Sequence, residues 1–543
     1  MSTSSTSSTS STSENETAHA LGASRTLWEL IERRAALTPD APVLIQAAAD
    51  PADDRTLTFG QLHARCERVA AGLYEMGVRP GTVVAWQLPT RIETALLSFA
   101  LARIGAVQSP VIPFYRDREV GFALRESKAE FFAVPGVWRG FDHTEMAGRL
   151  GARGVFEAYA YDDLPDADPS VLPPPPADGT SVRWIYWTSG TTSDPKGVLH
   201  TDRSLIAGGS CLAHALRLKV SDIGSMAFPF AHIAGPDYTV MLLLYGFPAV
   251  MFEQFALPDA LDGYRRHGVT VAGGSTAFYS MFLAEQRKLP AGEKVIPTLR
   301  LLAGGGAPKP PEIYHAVVRE MGCQLTHGYG MTEVPMITMG APDDTPENLA
   351  TTEGLPPGGM QIRVTDAEGK EVPAGVDGEV RLRGEAVCQG YLTRSTGGGP
   401  PDPRRQSAEV FDADGFLITG DLGHVKPTGH LVLTGRAKDI IIRKGENISA
   451  KEIEDLLHRH PAVSDAAVIG LPDAERGERV CAVIEQRGAS EELTLSAVTT
   501  YLRGEGLSTY KLPEQLEVVE ALPRNETLRK VLKYKLRERF AEG

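Results

Sequence analysis

The chain has 543 residues, 42% hydrophobic and 23% charged, an ordinary balance for a globular protein with a large buried core. Its formal net charge of −14 argues against nucleic acid as a main partner, because polyanion binders carry a basic excess. The five cysteines (Cys66, Cys211, Cys323, Cys388 and Cys481) form no Cys-x-x-Cys pair. That excludes a zinc cluster or a disulfide framework as the organising device and fits a reducing cytoplasm.

The first 16 residues, MSTSSTSSTSSTSENE, are a Ser/Thr repeat with no basic or apolar segment. They make neither a signal peptide nor a core, so residues 1–24 read as a disordered tail. Apolar spacing at Leu27, Leu30 and Ile31 predicts a helix over 26–36, and residues 59–77 predict another. Short apolar runs at 83–88 and 131–134 read as strands. The alternation predicts an α/β protein with layers of mostly parallel sheet. The two most apolar stretches, 94–112 and 241–252, are interrupted by Arg103 and Pro110 and by Pro248, so neither is a membrane span.

Residues 172–179 (LPPPPADG) read as a surface connector, and 393–407 as a loop rich in Gly, Pro and Arg. Composition shifts near residue 436. Beyond it an apolar run at 440–443 precedes a helix signal, with Ser449 and Glu452 as its capping box. Ile453, Leu456 and Leu457 share one face of that helix and Pro461 ends it; strands are predicted at 465–470 and 480–486. The expected organisation is therefore a tail (1–24), a large domain (25–436) and a small α/β domain (437–543).

The sharpest chemical signal is Thr188-Ser189-Gly190-Thr191-Thr192-Ser193-Asp194-Pro195-Lys196-Gly197, which follows the apolar run 184–187. Hydroxyls and glycines at a strand exit can wrap an anion with O–H and N–H donors, and Lys196 adds a fixed positive charge. The Walker pattern G-x-x-x-x-G-K-[ST] is absent.

Further segments follow in order: Gly328-Tyr329-Gly330-Met331-Thr332-Glu333, Thr419-Gly420-Asp421-Leu422-Gly423, Gly435-Arg436-Ala437-Lys438-Asp439, Lys444-Gly445-Glu446-Asn447, Tyr510-Lys511-Leu512-Pro513-Glu514, and Pro523 onward to Lys530. Together with the loop at 188–197 they resemble the signatures of the adenylate-forming superfamily: acyl-CoA synthetases, peptide-synthetase adenylation domains and luciferases. The resemblance spans roughly residues 25 to 540.

It implies ATP, Mg2+ and CoA as the molecules bound. Thr188, Ser189, Gly190, Thr191, Thr192 and Lys196 would form the phosphate loop, and Gly328, Tyr329, Gly330 and Met331 the second nucleotide motif. Gly304, Gly305, Gly306, Ala307 and Pro308 would lie beside the nucleotide and the acyl pocket. Asp421 and Arg436 would hold the ribose, Lys438 would be the pivot between the domains, and Lys444 and Gly445 would line a pantetheine tunnel. Thr332, Glu333, His232 and Lys530 are the expected catalytic residues, with Glu333 as the metal ligand.

The chemistry gives the same roles a physical reason. A carboxylate attacking the α-phosphate of ATP meets charge repulsion, so the site needs cations and a metal ion against the departing pyrophosphate. One departure concerns the lysine. By count from Pro523, Arg529 takes its position; by the following Val-Leu-Lys match, Lys530 does. Lys530 is preferred, with Arg529 as the alternative cation. Lys533, Lys535, Arg537 and Arg539 read as a solvated basic face of a terminal helix.

For the acid, peptide-synthetase adenylation domains place an aspartate where this chain has Ala231-His232, which argues against an amino-acid substrate; Asp237 is worse placed for that role. Residues 105–142, with Tyr115-Arg116-Asp117-Arg118-Glu119 and Val137-Trp138-Arg139-Gly140-Phe141-Asp142, resemble short- and medium-chain fatty acid and cyclohexanecarboxylate CoA ligases. Small residues at Gly273, Gly274 and Ala303 suit an aliphatic or alicyclic chain. No carrier-protein domain follows Gly543, and the 420–423 motif comes soon after Glu333, which favours free CoA. The expectation is a cytoplasmic acyl-CoA synthetase. The alternatives are an acyl-AMP ligase loading a carrier protein, a luciferase-like monooxygenase and a non-catalytic acyl-nucleotide binder.

Overall fold

The computed structural model describes residues 6–188, 195–307, 309–392, 410–444, 446–473, 475–488, 493–525 and 529–541. Three sheets match the mostly parallel α/β expectation. The first runs Gly224–Met226, Ala249–Met251, Pro42–Gln46, Arg55–Thr58, with only the last pair antiparallel. The second runs Lys196–Thr201, Val182–Thr188, Val107–Pro110, Val83–Trp86, Phe131–Val134, Val155–Glu157, parallel except for the hairpin at its edge. The third runs Val271–Gly274, Leu301–Gly305, Gln324–Met331, Val334–Met339, again with an antiparallel last pair.

A fourth sheet departs from that expectation. Gln361–Thr365, Gly378–Arg383, Leu417–Val425 and Leu431–Arg436 pair antiparallel throughout. Connections as short as 426–430 leave no room for the crossover helix that a parallel pair requires.

The helices follow from local signals. Thr26 caps Leu27–Leu37 by accepting from the Glu29 N–H, and Thr58 with Gln61 forms a capping box on Phe59–Glu75. Ile92–Ile104 is buried on every side, consistent with its mostly apolar composition. The one acid in it, Glu93, is fully buried and carried by Arg55 (2.5 Å) and Arg91 (3.2 Å). Among the described residues no helix is long and apolar enough to cross a membrane.

The amino-terminal segment corrects the expectation of a disordered tail. Thr6–Gly22 is a helix, and Ala18 and Leu21, three residues apart on one face, are buried in the main core. It packs against the helices Ala234–Tyr245 and Leu27–Leu37, and the Tyr245 hydroxyl donates to Asn15 at 2.9 Å. The few apolar residues at the end of the Ser/Thr repeat suffice to dock it.

The small carboxy-terminal unit has its own sheet: Glu446–Ser449, Ile440–Arg443, Gly477–Gln486, Val463–Asp473, with Gln515–Val519 parallel to Gly477–Gln486. Both expected strands are present and longer than predicted. Ser449 caps the helix Ala450–Leu457 as anticipated, and its hydroxyl also donates to the Thr434 carbonyl at 2.7 Å. One face of the sheet buries Ile441, Ile453, Leu457 and Val498; the other buries Ile469, Cys481, Leu522 and Leu536. The terminal helix Lys533–Phe540 is not simply a solvated basic face. Lys533 pairs with Glu454 at 2.7 Å and Arg537 with Asp439 at 2.9 Å, because Leu536 anchors the helix against the sheet beside those acids.

The docked amino-terminal helix can be tested directly. Leu21→Ala is expected to destabilise the large domain by about 2–3 kcal/mol through lost burial. The readout is the midpoint of its urea transition; an unmoved midpoint would mean that the helix contributes nothing to the core.

Candidate active site

Three strands of the large domain end at one place. Pro110 closes Val107–Pro110, Thr188 closes Val182–Thr188, and Met331 closes Gln324–Met331. All three terminal residues line a cavity of about 420 Å³. A crevice beyond the carboxyl ends of strands is where open α/β sheets place their ligands, since side chains and loop amides converge there. Leu417, Ile418, Thr419 and Arg436 of the antiparallel sheet close another side, and Lys438, Asn525 and Lys530 approach from the small unit.

Lys530 is held through Asn525. Its N–H donates to Asn525 Oδ1 and its carbonyl accepts from the Asn525 N–H, both at 2.9 Å. Arg524 braces the turn through the Arg529 carbonyl (3.0 Å) and an ion pair with Asp465. Arg529 itself is exposed and lies outside the cavity wall. It takes φ +55°, the left-handed region that costs an L side chain about 1–2 kcal/mol, so a glycine would fit this turn better. The cavity therefore receives Lys530 and not Arg529.

The electrostatics follow from burial. The Lys530 ammonium is pushed down to about 8, first by loss of water and then by Arg436, with Asp421 and Glu333 opposing. His232 is pushed down to about 3 by burial and by Lys530, so it is a neutral dipole in the wall. Glu333 is buried and accepts a 2.5 Å hydrogen bond from the Tyr391 hydroxyl. Lys196 lies over the Tyr391 ring, 4.9 Å from its centroid. Asp421 accepts from Arg436 Nε at 2.6 Å and from the Tyr329 hydroxyl.

Thr188, Lys196, His232, Gly330, Met331, Thr332, Glu333, Arg436, Lys438 and Lys530 all line the one cavity. Gly328 and Tyr329 lie just before it on the same strand, and Asp421 reaches it through Arg436. Gly304 and Gly305 sit on the adjoining strand, in register with His327 and Gly328, with Gly306 and Ala307 following. A side chain at Gly304 would meet the Gly274 carbonyl at 2.4 Å, so glycine lets these strands approach closely. Lys444 is not brought to the cavity; it is exposed at a turn of the small unit, where its N–H donates to the Arg476 carbonyl. Ser189, Gly190, Thr191, Thr192, Pro308 and Gly445 lie outside the described residues.

The chain matches the family model of AMP-binding enzymes over residues 31–392 and that of the AMP-binding enzyme C-terminal domain over residues 452–528. It belongs to the AMP-binding enzyme family. Salicyl-AMP ligase / salicyl-S-ArCP synthetase of Mycobacterium tuberculosis is 31% identical over 92% of this chain and 88% of that protein. Medium-chain fatty-acid–CoA ligase of Escherichia coli is 29% identical over 89% and 85%. The structure of o-succinylbenzoate coenzyme A synthetase from Bacillus subtilis in complex with ATP and a magnesium ion matches with a TM-score of 0.79 and 27% identity, covering 93% of this chain and 98% of that one.

For an AMP-binding enzyme, the donor set of the cavity fits a nucleotide carried with its magnesium ion. Glu333 offers a hard carboxylate oxygen, and Lys196, Arg436, Lys438 and Lys530 offer cations for phosphate. Sequence reasoning missed Tyr391, which is 58 residues from Glu333, and gave no role to Asn525 although it lies within the 523–530 segment. It also missed His200, buried and neutral, with a pKa pushed down to about 4. Its Nε2–H donates to the Thr332 carbonyl at 2.7 Å, and its Nδ1 lies 2.9 Å from the Ser204 hydroxyl.

Removing the Tyr391 hydroxyl isolates its grip on Glu333. Tyr391→Phe is expected to weaken ATP binding in the presence of magnesium by about tenfold, as loss of a hydrogen bond to a charged group does. Calorimetric titration with and without magnesium checks this; equal affinities for both proteins would remove Tyr391 from the site.

Proposed function

We propose that this AMP-binding enzyme is an acyl-CoA synthetase that activates an aliphatic or alicyclic carboxylic acid. The observation that carries the reading is the convergence of Lys530, His232, Thr332 and Glu333 on one cavity with Lys196, Arg436 and Lys438. In the first step a carboxylate oxygen of the acid bonds to the α-phosphorus of ATP, and the bond from that phosphorus to the bridging oxygen breaks, releasing pyrophosphate. In the second, the CoA sulfur bonds to the acyl carbon, AMP leaves with the carboxylate oxygen, and the thiol proton is lost to solvent. No covalent enzyme intermediate is needed.

Each residue has a task in that sequence. Lys530 bridges the incoming carboxylate and the α-phosphate, where negative charges are forced together. Thr332 donates its hydroxyl to the α-phosphate, and His232 presents a neutral imidazole to the acyl carboxyl. Asp421, with Arg436, holds the ribose hydroxyls. Glu333 would hold magnesium, which when bound offsets charge on the departing pyrophosphate. Apolar wall residues Pro110, Ile112, Ala231 and Ile233 suit an acyl chain. After adenylation the small domain turns about Lys438 and brings Lys444 to the pantetheine arm; the exposed position of Lys444 supports this division of labour.

The second reading, an acyl-AMP ligase that delivers to a carrier-protein thiol, is favoured by the similarity to salicyl-AMP ligase / salicyl-S-ArCP synthetase. Mass spectrometry with ATP, magnesium and a panel of acids, with and without CoA, separates the two. Acyl-CoA formed with free CoA supports the first; acyl-AMP that persists despite CoA supports the second.

Two variants should split the half-reactions. Lys530→Ala is expected to slow acyl-AMP formation by about a hundredfold or more while sparing thioester formation from supplied acyl-AMP. Lys438→Pro should do the opposite, and equal loss of both steps in either variant would overturn its assignment. A third expectation concerns pH. Because burial and Arg436 lower Lys530 to about 8, its cation is complete below that value and lost above it. The kcat/KM for adenylation should therefore fall as pH rises through about 8, and a flat profile would count against the lysine.

A further inference from the structure

Away from the catalytic cavity, one group of side chains has the donor chemistry of a metal centre. Glu32, His63 and Glu67 bring an imidazole nitrogen and two carboxylate oxygens within 4.8 Å of one another. It is the one such group of three among the described residues. Glu32 comes from the helix Leu27–Leu37, and His63 and Glu67 from Phe59–Glu75, which packs against it. None of the three lines the cavity that holds Lys530.

Helical spacing sets the group up. His63 and Glu67 are four residues apart, so they stand one above the other on one face. Trp28 and Glu32 repeat that spacing on the other helix. The fully buried Trp28 indole stacks on the His63 imidazole, with centroids 5.2 Å apart and planes 25° from parallel. The Arg103 guanidinium lies 5.8 Å from the centroid of the same indole. It donates to Glu67 Oε1 at 2.7 Å and to the Pro173 carbonyl at 3.0 Å. One indole thus steadies the imidazole and, through Arg103, one of the carboxylates, which is the outer support that metal ligands ordinarily have.

The balance of charge asks for a cation. Arg103 is the one cation paired with either acid among the described residues, and it serves Glu67. A carboxylate accepts at both oxygens, so that pair leaves Glu67 able to take a second partner. Glu32 has no ion pair, and the His63 ring no hydrogen bond, among the described residues. Two partly buried carboxylates and one guanidinium therefore leave a net negative charge beside an imidazole nitrogen. Imidazole with carboxylate suits zinc and its neighbours in the first transition row, whereas magnesium and calcium prefer oxygen alone. Metal–ligand bonds of about 2.1 Å put tetrahedral ligands about 3.4 Å apart, a distance that side-chain rotation can reach from the separation present.

We propose that Glu32, His63 and Glu67 bind a divalent transition-metal ion, zinc by the donor set, with water completing its coordination. The ion joins two helices that both bury their apolar faces in the main core, so it stabilises the large domain and takes no part in the reaction. The site uses no cysteine and does not depend on the acyl-activating reading.

The test is calorimetric titration of zinc into the full-length, nucleotide-free chain, beside Glu32→Gln, His63→Phe and Glu333→Gln. Glutamine matches Glu32 in shape and phenylalanine keeps a ring on Trp28, so packing is retained in both. The native chain should bind one equivalent, which magnesium at equal concentration does not displace. Loss of an outer support already costs about 10–100-fold in metal affinity, so loss of a direct ligand should cost about a hundredfold or more in each of the first two variants. Glu333→Gln, altered at the proposed magnesium position, should keep the native affinity. Zinc should also raise the urea midpoint of the native chain and leave that of His63→Phe unmoved. Failure to bind zinc, or native affinity in Glu32→Gln and His63→Phe, overturns the site. An affinity that falls in Glu333→Gln instead places the ion in the catalytic cavity and overturns it equally. Displacement by magnesium overturns the choice of metal, and an unmoved native midpoint overturns the stabilising role.

Discussion

A lysine ammonium drawn out of water is the constraint on which this site is built. Lys530 sits on a turn of the small unit, and its partners stand in the large one, so its solvation has to be replaced by groups from across the boundary. Glu333 and Asp421 do this electrostatically against Arg436, leaving the ammonium near its titration point. That balance explains why the surroundings are so tightly braced. Tyr391 holds Glu333, Tyr329 holds Asp421, and Asn525 holds the Lys530 backbone. If any of these relaxed, the charge would be either overpaired or stranded.

The fold supplies that bracing by bringing different kinds of sheet to one point. Parallel strands leave their carboxyl ends open for loops, while the antiparallel sheet contributes a wall of alternating side chains. His200 belongs to the same logic one layer out: a neutral imidazole fixes the Thr332 carbonyl, and hence the strand-end loop, without adding charge to a site already rich in it. The ion pair of Glu93 with Arg55 and Arg91 keeps the neighbouring apolar helix free of an uncompensated acid.

Much of this was legible in the chain because short-range chemistry writes short-range patterns. The Ser449 cap, the strand ending at Thr188, the Gly328–Glu333 segment and the Asp421 motif all lie where local residue order points to them. What escaped is set by tertiary neighbours. The Ser/Thr repeat gave no hint that Ala18 and Leu21 would find a core, and a period-two pattern does not say whether its strands pair parallel or antiparallel. Tyr391 and His200 act through partners 58 and 132 residues away. Counting along the chain could not choose between Arg529 and Lys530; in the structure Lys530 lines the cavity and Arg529 is exposed outside its wall.

The pairing of Arg436 with Asp421 has one more consequence. The carboxylate already holds a guanidinium and a phenol, one on each oxygen, and a carboxylate has lone-pair room for about two donors more. In the proposed role a ribose would add its hydroxyls to an acceptor whose direction is already fixed by those two donors. Arg436 lies at the junction with the small unit, directly before Ala437–Asp439. The pair therefore ties the proposed ribose position to that junction.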